Sequence, residues 1–237
     1  MLNSQTYAVI STLKEINDDM IFTYPVMGVS DSNKTIMAYL NLQDLGNEDF
    51  KEFGIMGVKQ YMDLLSIAGK DSEITNVDSV LHIKSPSISC KYSTTNIGIL
   101  EAKNCRAPLS LPQNFESATK AIEFYISSED MEKIKKVSSL LKFEDVVITS
   151  EGSKIVLKVD NENQKSSNDF KIYLDGEASD SEIGVVLSVS NIKKMPQGNY
   201  VVRASKNPKN PLSILVRFES QNVDGLQFFI ATKAIQK

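Results

Sequence analysis

Apolar side chains along this chain fall mostly on alternate positions. Ile155, Leu157 and Val159 interleave with Val156 and Lys158, and Phe170, Ile172 and Leu174 interleave with Lys171 and Tyr173. Period two with one apolar face predicts half-buried strands. Similar runs predict strands over 20–24, 35–42, 50–56, 80–84, 88–92, 97–102, 121–126, 145–149, 184–187, 199–204, 212–218 and 226–232. Glu151-Gly152-Ser153 and Asp175-Gly176 read as the turns between antiparallel neighbours.

Four windows carry a helical period instead. Val9, Ile10, Leu13 and Ile16 mark the first, and Val58, Tyr61, Met62, Leu65 and Ala68 mark the second, which Gly69 stops. Met131, Ile134, Val137, Leu140 and Leu141 form a third stripe, entered through the capping box Ser127-Ser128-Glu129-Asp130. The fourth, over 188–195, is short and ends at Pro196. The order helix, strands, helix, strands therefore occurs twice. Residues 103–119, with Pro108 and Pro112, read as an extended connector between halves at 1–102 and 120–237. The fold class is α+β, with two similar domains that each pack two helices on antiparallel sheet.

Composition narrows the function. The 237 residues carry 26 basic and 30 acidic side chains, for a net charge of -4, with one His, two Cys and no Trp. That is too few cysteines for a disulfide scaffold and too few clustered ligands for a zinc ribbon. No run approaches a membrane span, and the first residues lack the charged and apolar regions of a leader, so the chain reads as intracellular. A net acidic charge is unexpected for a DNA-binding protein.

Chemistry is sparse. His82 lies in the alternating strand Val80-Leu81-His82-Ile83-Lys84 and reads as a satisfied strand residue, since acid/base or metal work needs a second positioned group. Cys90 and Cys105 have no Cys-x-x-Cys spacing and read as reduced thiols. Gly69-Lys70 fails as a phosphate loop, because Leu64 stands where a glycine is required and Asp71 replaces Ser or Thr. Asp175, Glu177, Asp180 and Glu182 lack calcium-loop spacing and read as a solvated turn. Asn33-Lys34-Thr35 is a glycosylation sequon by spelling alone. No catalytic residue, metal or cofactor is expected.

Charge is placed against this pattern. Lys133, Lys135, Lys136 and Lys142 follow one another with no acidic residue between them, on the third helix. Lys193 and Lys194 lie on the fourth, Lys14 on the first, and Lys59 and Lys70 beside the second. Acidic residues gather instead in turns and strand ends. Such segregation suits helices that face phosphates and sheets that face solvent.

At this point the chain resembles the DNA polymerase sliding clamps, most closely the trimeric clamps of tailed bacteriophages. The second half carries the strongest match: Ser127-Ser128-Glu129-Asp130-Met131 opening a helix, the hairpin Glu151-Gly152-Ser153-Lys154-Ile155-Val156-Leu157, and Lys194-Met195-Pro196-Gln197-Gly198-Asn199-Tyr200. There the phage pattern has its proline one position later. Met56-Gly57-Val58, leading to a helix that ends Ala68-Gly69, is similar to proliferating cell nuclear antigen, as is Leu226-Gln227-Phe228-Phe229-Ile230-Ala231-Thr232-Lys233.

The resemblance implies a homotrimeric ring of six domains and twelve channel helices, a processivity factor without catalysis. It would encircle double-stranded DNA, tether DNA polymerase and be loaded by a clamp-loader ATPase, in the infected host cell's cytoplasm if viral. Lys133 and Lys136 match the family's basic positions, and Lys193 and Lys194 fall near another; Asp63 and Ser66 replace lysines on the second helix, leaving Lys59 and Lys70 as substitutes. Ile36, Met37, Leu109, Leu111, Pro112, Phe229, Ile230, Ala231 and Thr232 match the partner pocket. By position, Ile97, Ile99 and Leu100 with Phe170, Ile172 and Leu174 are assigned to the subunit seam. A virion-type structural β-protein with acidic loops is the alternative, and a hydrolase on scattered carboxylates the weakest reading.

Overall fold

In a computed structural model the described residues are 4–69, 72–160, 169–179, 184–207 and 210–233. They form two compact units, Met1–Leu109 with Asp224–Leu226, and Ser110–Val223 with Gln227–Lys237. Both mix a few helices with antiparallel sheet, so the α+β reading holds.

The first unit runs α1 (Ser4–Leu13), β1 (Met20–Phe22), β2 (Val26–Ser30), β3 (Ile36–Asn41), β4 (Phe53–Ile55), α2 (Val58–Ala68), β5 (Glu73–Val77), β6 (Val80–Lys84), β7 (Ser89–Ser93) and α3 (Ile97–Ala102). Its strands pair antiparallel as β1–β4, β2–β3 and β5–β6–β7. Ile10 and Leu13 of α1 are buried, as are Val58, Tyr61, Met62, Leu65 and Ala68, the whole predicted stripe of α2. Phe22 stacks on Phe53 at 4.7 Å and meets the edge of Tyr61 at 6.0 Å. The Tyr7 hydroxyl donates to the Met62 carbonyl at 2.6 Å and ties α1 to α2.

The N-terminus of α2 is capped from a distant segment. Gly57 sits at φ 74 and supplies no side chain. The Asp18 carboxylate accepts the Lys59 N–H at 2.8 Å, its carbonyl accepts that of Val58 at 2.6 Å, and Asp19 accepts that of Gly57 at 3.0 Å. Free N–H groups at a helix start favour carboxylate partners.

The second unit runs α4 (Leu111–Glu116), β8 (Thr119–Ile126), α5 (Ser128–Leu141), β9 (Asp145–Glu151), β10 (Lys154–Asp160), β11 (Phe170–Ala178), β12 (Val185–Ser188), α6 (Val189–Lys193), β13 (Tyr200–Asn207), β14 (Asn210–Ser220) and β15 (Leu226–Ala231). Its strands pair antiparallel in the order β12–β9–β10–β11–β8–β13–β14–β15. Helices α5 and α6 pack on each other, α5 on β10 and α6 on β12.

Several expectations are corrected. Residues 97–102 form α3, not a strand, because the Asn96 side chain accepts the Gly98 N–H at 2.9 Å as an N-cap. Leu100 is then buried with Ile21 and Cys105. The connector is not extended throughout, since Pro112 stands in the first turn of α4, where its missing N–H costs nothing. Asp175-Gly176 is not a turn but the middle of β11, where the strand leaves β10 and joins β8. A Cβ on Gly176 would lie 2.7 Å from the Glu123 carbonyl oxygen, Ile155 and Phe124, so only glycine permits this approach. Strands β2 and β5 escaped the reading, one because Pro25 and Gly28 look like breakers, the other because Glu73, Thr75 and Val77 are exposed and leave little apolar pattern.

Helix α4 is clamped onto the sheet of its own unit. Phe115 is buried, edge-on to Phe229 at 5.2 Å, with the guanidinium carbons of Arg203 and Arg217 each 5.4 Å from its ring. The two arginines are direct cross-strand neighbours, a repulsive arrangement by itself. Glu116 bridges them, accepting from Arg203 at 3.0 Å and from Arg217.

Replacing Gly176 by Ala will lower unfolding stability by about 2 kcal/mol, read from urea midpoints at unchanged m-value; a loss below a few tenths would show that the crossing point tolerates a side chain.

Candidate nucleic-acid interface

The helices of each unit bury one stripe and leave the other side to carry charge. In α5 the buried positions are Met131, Ile134 and Ser138, at spacings of three and four. This corrects the predicted stripe: Leu140 is 80% exposed, and Ser138 takes a buried position by donating its hydroxyl to the Lys135 carbonyl at 3.0 Å. The start of α5 is capped as expected, with the Asp130 N–H donating to Ser127 Oγ at 3.1 Å. The Asp130 carboxylate accepts the Ser127 hydroxyl at 2.7 Å. Ser128 and Gln197, joined through the Gln197 amide, fix the helix start beside the loop after α6.

The basic side chains of α5 and α6 divide into three groups. Lys133 is exposed and pairs with Glu129 at 2.9 Å and Asp130 at 3.2 Å; these hydrogen bonds, Glu129 first, push its pKa up. Lys136 pairs with Glu132 at 2.5 Å, and that bond holds the Glu132 carboxyl below its ordinary range. Lys135 is different: it is half-buried, its ammonium donates to the Met195 carbonyl at 2.7 Å, and burial lowers its pKa. It pins α5 to the segment after α6. Lys193 is exposed, Lys194 half-buried and Lys142 exposed, with no ion pair among the described residues. Lys142 caps α5 in the left-handed region at φ 57.

The helix faces of the first unit are more nearly neutral. Within α1 and α2, Lys59 is offset by Asp63, and just beyond α1, Lys14 by Glu15. Ser66 and Ile67 complete the exposed face of α2, with Ile67 71% exposed. Lys70 lies outside the described residues.

Among the residues expected to meet partner peptides, Ile36 and Met37 on β3 and Phe229 and Ile230 on β15 are buried. Leu109 is 48% exposed in the first unit. Leu111, Pro112, Ala231 and Thr232 are half-buried in the second, with the Thr232 hydroxyl on the Ile214 carbonyl at 3.0 Å.

The expected seam residues separate. Phe170, Ile172 and Leu174 lie on β11, half-buried on one face, and from Phe170 to Asp175 the strand pairs with β10 alone among the described residues. Ile97, Ile99 and Leu100 lie on α3, with Leu100 buried and Ile99 52% exposed. The unpaired edge next to them in sequence is β7, whose one described partner is β6. The polar sequence Ser89-Cys90-Lys91-Tyr92-Ser93 was legible as a strand; its role as an edge was not.

No family model matches the chain, and no curated protein does. Solved structures do. The chain is similar to the PCNA2-PCNA3 complex of Sulfolobus tokodaii at 12% identity and TM-score 0.64, covering 96% of this chain and 95% of that one. It is similar to PCNA of Thermococcus kodakaraensis at 14% identity and TM-score 0.66, covering 97% and 96%. It is similar to A. fulgidus PCNA, solved with the C-terminal region of FEN-1 bound, at 11% identity and TM-score 0.66, covering 98% and 96%. The fold is the two-domain fold of these clamps.

Lys135→Met keeps the methylene stem and removes the bond to Met195. It will cost on the order of 1 kcal/mol of stability in urea unfolding while leaving duplex affinity within experimental error; an affinity loss equal to that of Lys136→Met would place Lys135 on the DNA-facing side.

Proposed function

We propose that this chain is a sliding clamp: three copies close a ring around double-stranded DNA and hold DNA polymerase on its template as a processivity factor, with no catalysis of their own. The observation that carries this reading is the clamp fold over nearly the whole chain together with a lysine-bearing outer face on α5 and α6. A ring of three chains of 26.3 kDa would have a mass of about 79 kDa. The acidic balance then fits, because a ring held by topology needs little affinity, and an acidic exterior discourages random phosphate contact.

Closure is heterologous in this reading. The free stretch of β11, Phe170 to Asp175, adds to the free edge of β7 in the next copy, so both exposed rows of backbone N–H and C=O groups find partners. This moves the first-unit side of the seam from residues 97–102 to β7 (Ser89–Ser93). Polymerase and a clamp-loader ATPase dock through peptides that bury an apolar anchor. In the first unit Leu109 is the exposed candidate; in the second, Leu111, Pro112, Ala231 and Thr232 are. The A. fulgidus clamp, solved with a peptide region of a DNA-processing protein bound, supports this mode of docking. In this reading the ring works in the cytoplasm of an infected cell, which the resemblance of residues 127–131, 151–157 and 194–200 to bacteriophage clamps supports.

Lys133→Glu with Lys136→Glu will reduce polymerase processivity on a primed circular template at least tenfold while light scattering still reports the trimer. Retained processivity would remove these residues from the DNA-facing surface. A protein that stays monomeric at micromolar concentration and never stimulates a polymerase would overturn the clamp reading itself.

A further inference from the structure

Helix α5 carries its own counterions. Glu129 and Glu132 each stand one turn before a lysine, at the (i, i+4) spacing and in the order that favours pairing. Asp130 also reaches Lys133, but its carboxylate is engaged with the Ser127 cap. Within α5 itself three acidic and three basic residues cancel. The charge that survives on the second unit's helices belongs to Lys142, Lys193 and Lys194, none of which has an ion pair among the described residues.

A phosphate that reaches Lys133 or Lys136 must therefore displace a carboxylate already bound there. Exposed pairs of this kind are worth little, so the exchange is nearly balanced in energy. Nearly balanced exchange gives weak and rapidly broken contacts, which a ring that slides requires and a protein that stays at one place does not.

Resting on the clamp reading, we infer that Glu129 and Glu132 tune the grip on DNA: they act as exchangeable internal anions that keep Lys133 and Lys136 from holding any one phosphate. Removing acidic side chains here strengthens binding and slows movement.

The test uses the full-length protein and a fluorescent duplex of about three helical turns, with affinity read by anisotropy across a series of NaCl concentrations. Glu129→Gln with Glu132→Gln frees Lys136 and leaves Lys133 only its contact with Asp130, and makes the slope of log affinity against log salt steeper by roughly 1 to 2 per copy that engages the DNA. This corresponds to about tenfold more affinity lost between 50 and 200 mM salt than in the unaltered protein. Asp63→Asn is the control: Asp63 balances Lys59 in charge but forms no ion pair with it, so the change removes an exposed negative charge from α2 and frees no bound lysine. The inference stands if the Gln variant steepens the slope and Asp63→Asn does not. It fails if the slopes of the Gln variant and the unaltered protein coincide, if neither binds at the lowest salt, or if Asp63→Asn has the same effect per charge removed. Urea unfolding of each variant verifies that α5 remains folded. The clamp reading is judged separately, by whether the unaltered protein stimulates polymerase on circular but not linear templates, so either can fail without the other.

Discussion

Burial of a single stripe on each amphipathic helix is the constraint from which the rest of this chain follows. Met131, Ile134 and Ser138 turn α5 inward against β10 and α6, so every lysine at the remaining positions is forced outward or, like Lys135, into a hydrogen bond at the boundary. The same holds for α2, whose five buried residues leave Lys59, Asp63, Ser66 and Ile67 outside. A helix that packs on one side of a sheet offers its other side to solvent or to a ligand. Here that other side is where the charge collects.

Antiparallel sheets impose a second condition, since each must end somewhere. The ends in this chain are blunt: β7 has its single described pairing on one side, and β11 shares its edge with β8 only beyond Asp175. Long unpaired edges invite another chain, and natural proteins usually hide them. Gly176 is what produces the second of these edges, because the close approach to Glu123 and Phe124 lets β11 change partners halfway along its length. One residue without a side chain thus shapes both the sheet and its free edge.

Electrostatics work on a finer scale than net charge. An excess of four acidic residues over the chain says little about the faces of individual helices. Pairing within α5 reduces its three lysines to a surface with modest residual charge, and the near-neutral face of α1 and α2 leaves the second unit the more basic of the two. The sheet arginines follow the opposite logic: half-buried Arg203 and buried Arg217, opposed across two strands, are stable because Glu116 joins them and Phe115 fills the space between.

Much of this was legible in the sequence, for reasons of period and spacing. The α2 stripe, the Ser127 cap, the β9–β10 hairpin around Gly152 and the order of helices and strands all depend on local pattern, which a chain carries wherever it folds. Residues 97–102 were misread because Ile97, Ile99 and Leu100 suit either period, and the Asn96 cap together with burial of Leu100 decided for helix. Leu140 was misplaced because a serine at 138 disguised the stripe Met131, Ile134, Ser138, whose spacing of three and four the half-buried Leu141 continues and Leu140 does not. Tertiary structure alone determined the cap of α2 by Asp18 and Asp19, the change of partner at Gly176 and the bond from Lys135 to the Met195 carbonyl. All three depend on groups brought together across the fold, and that is not written in the spacing of residues along the chain.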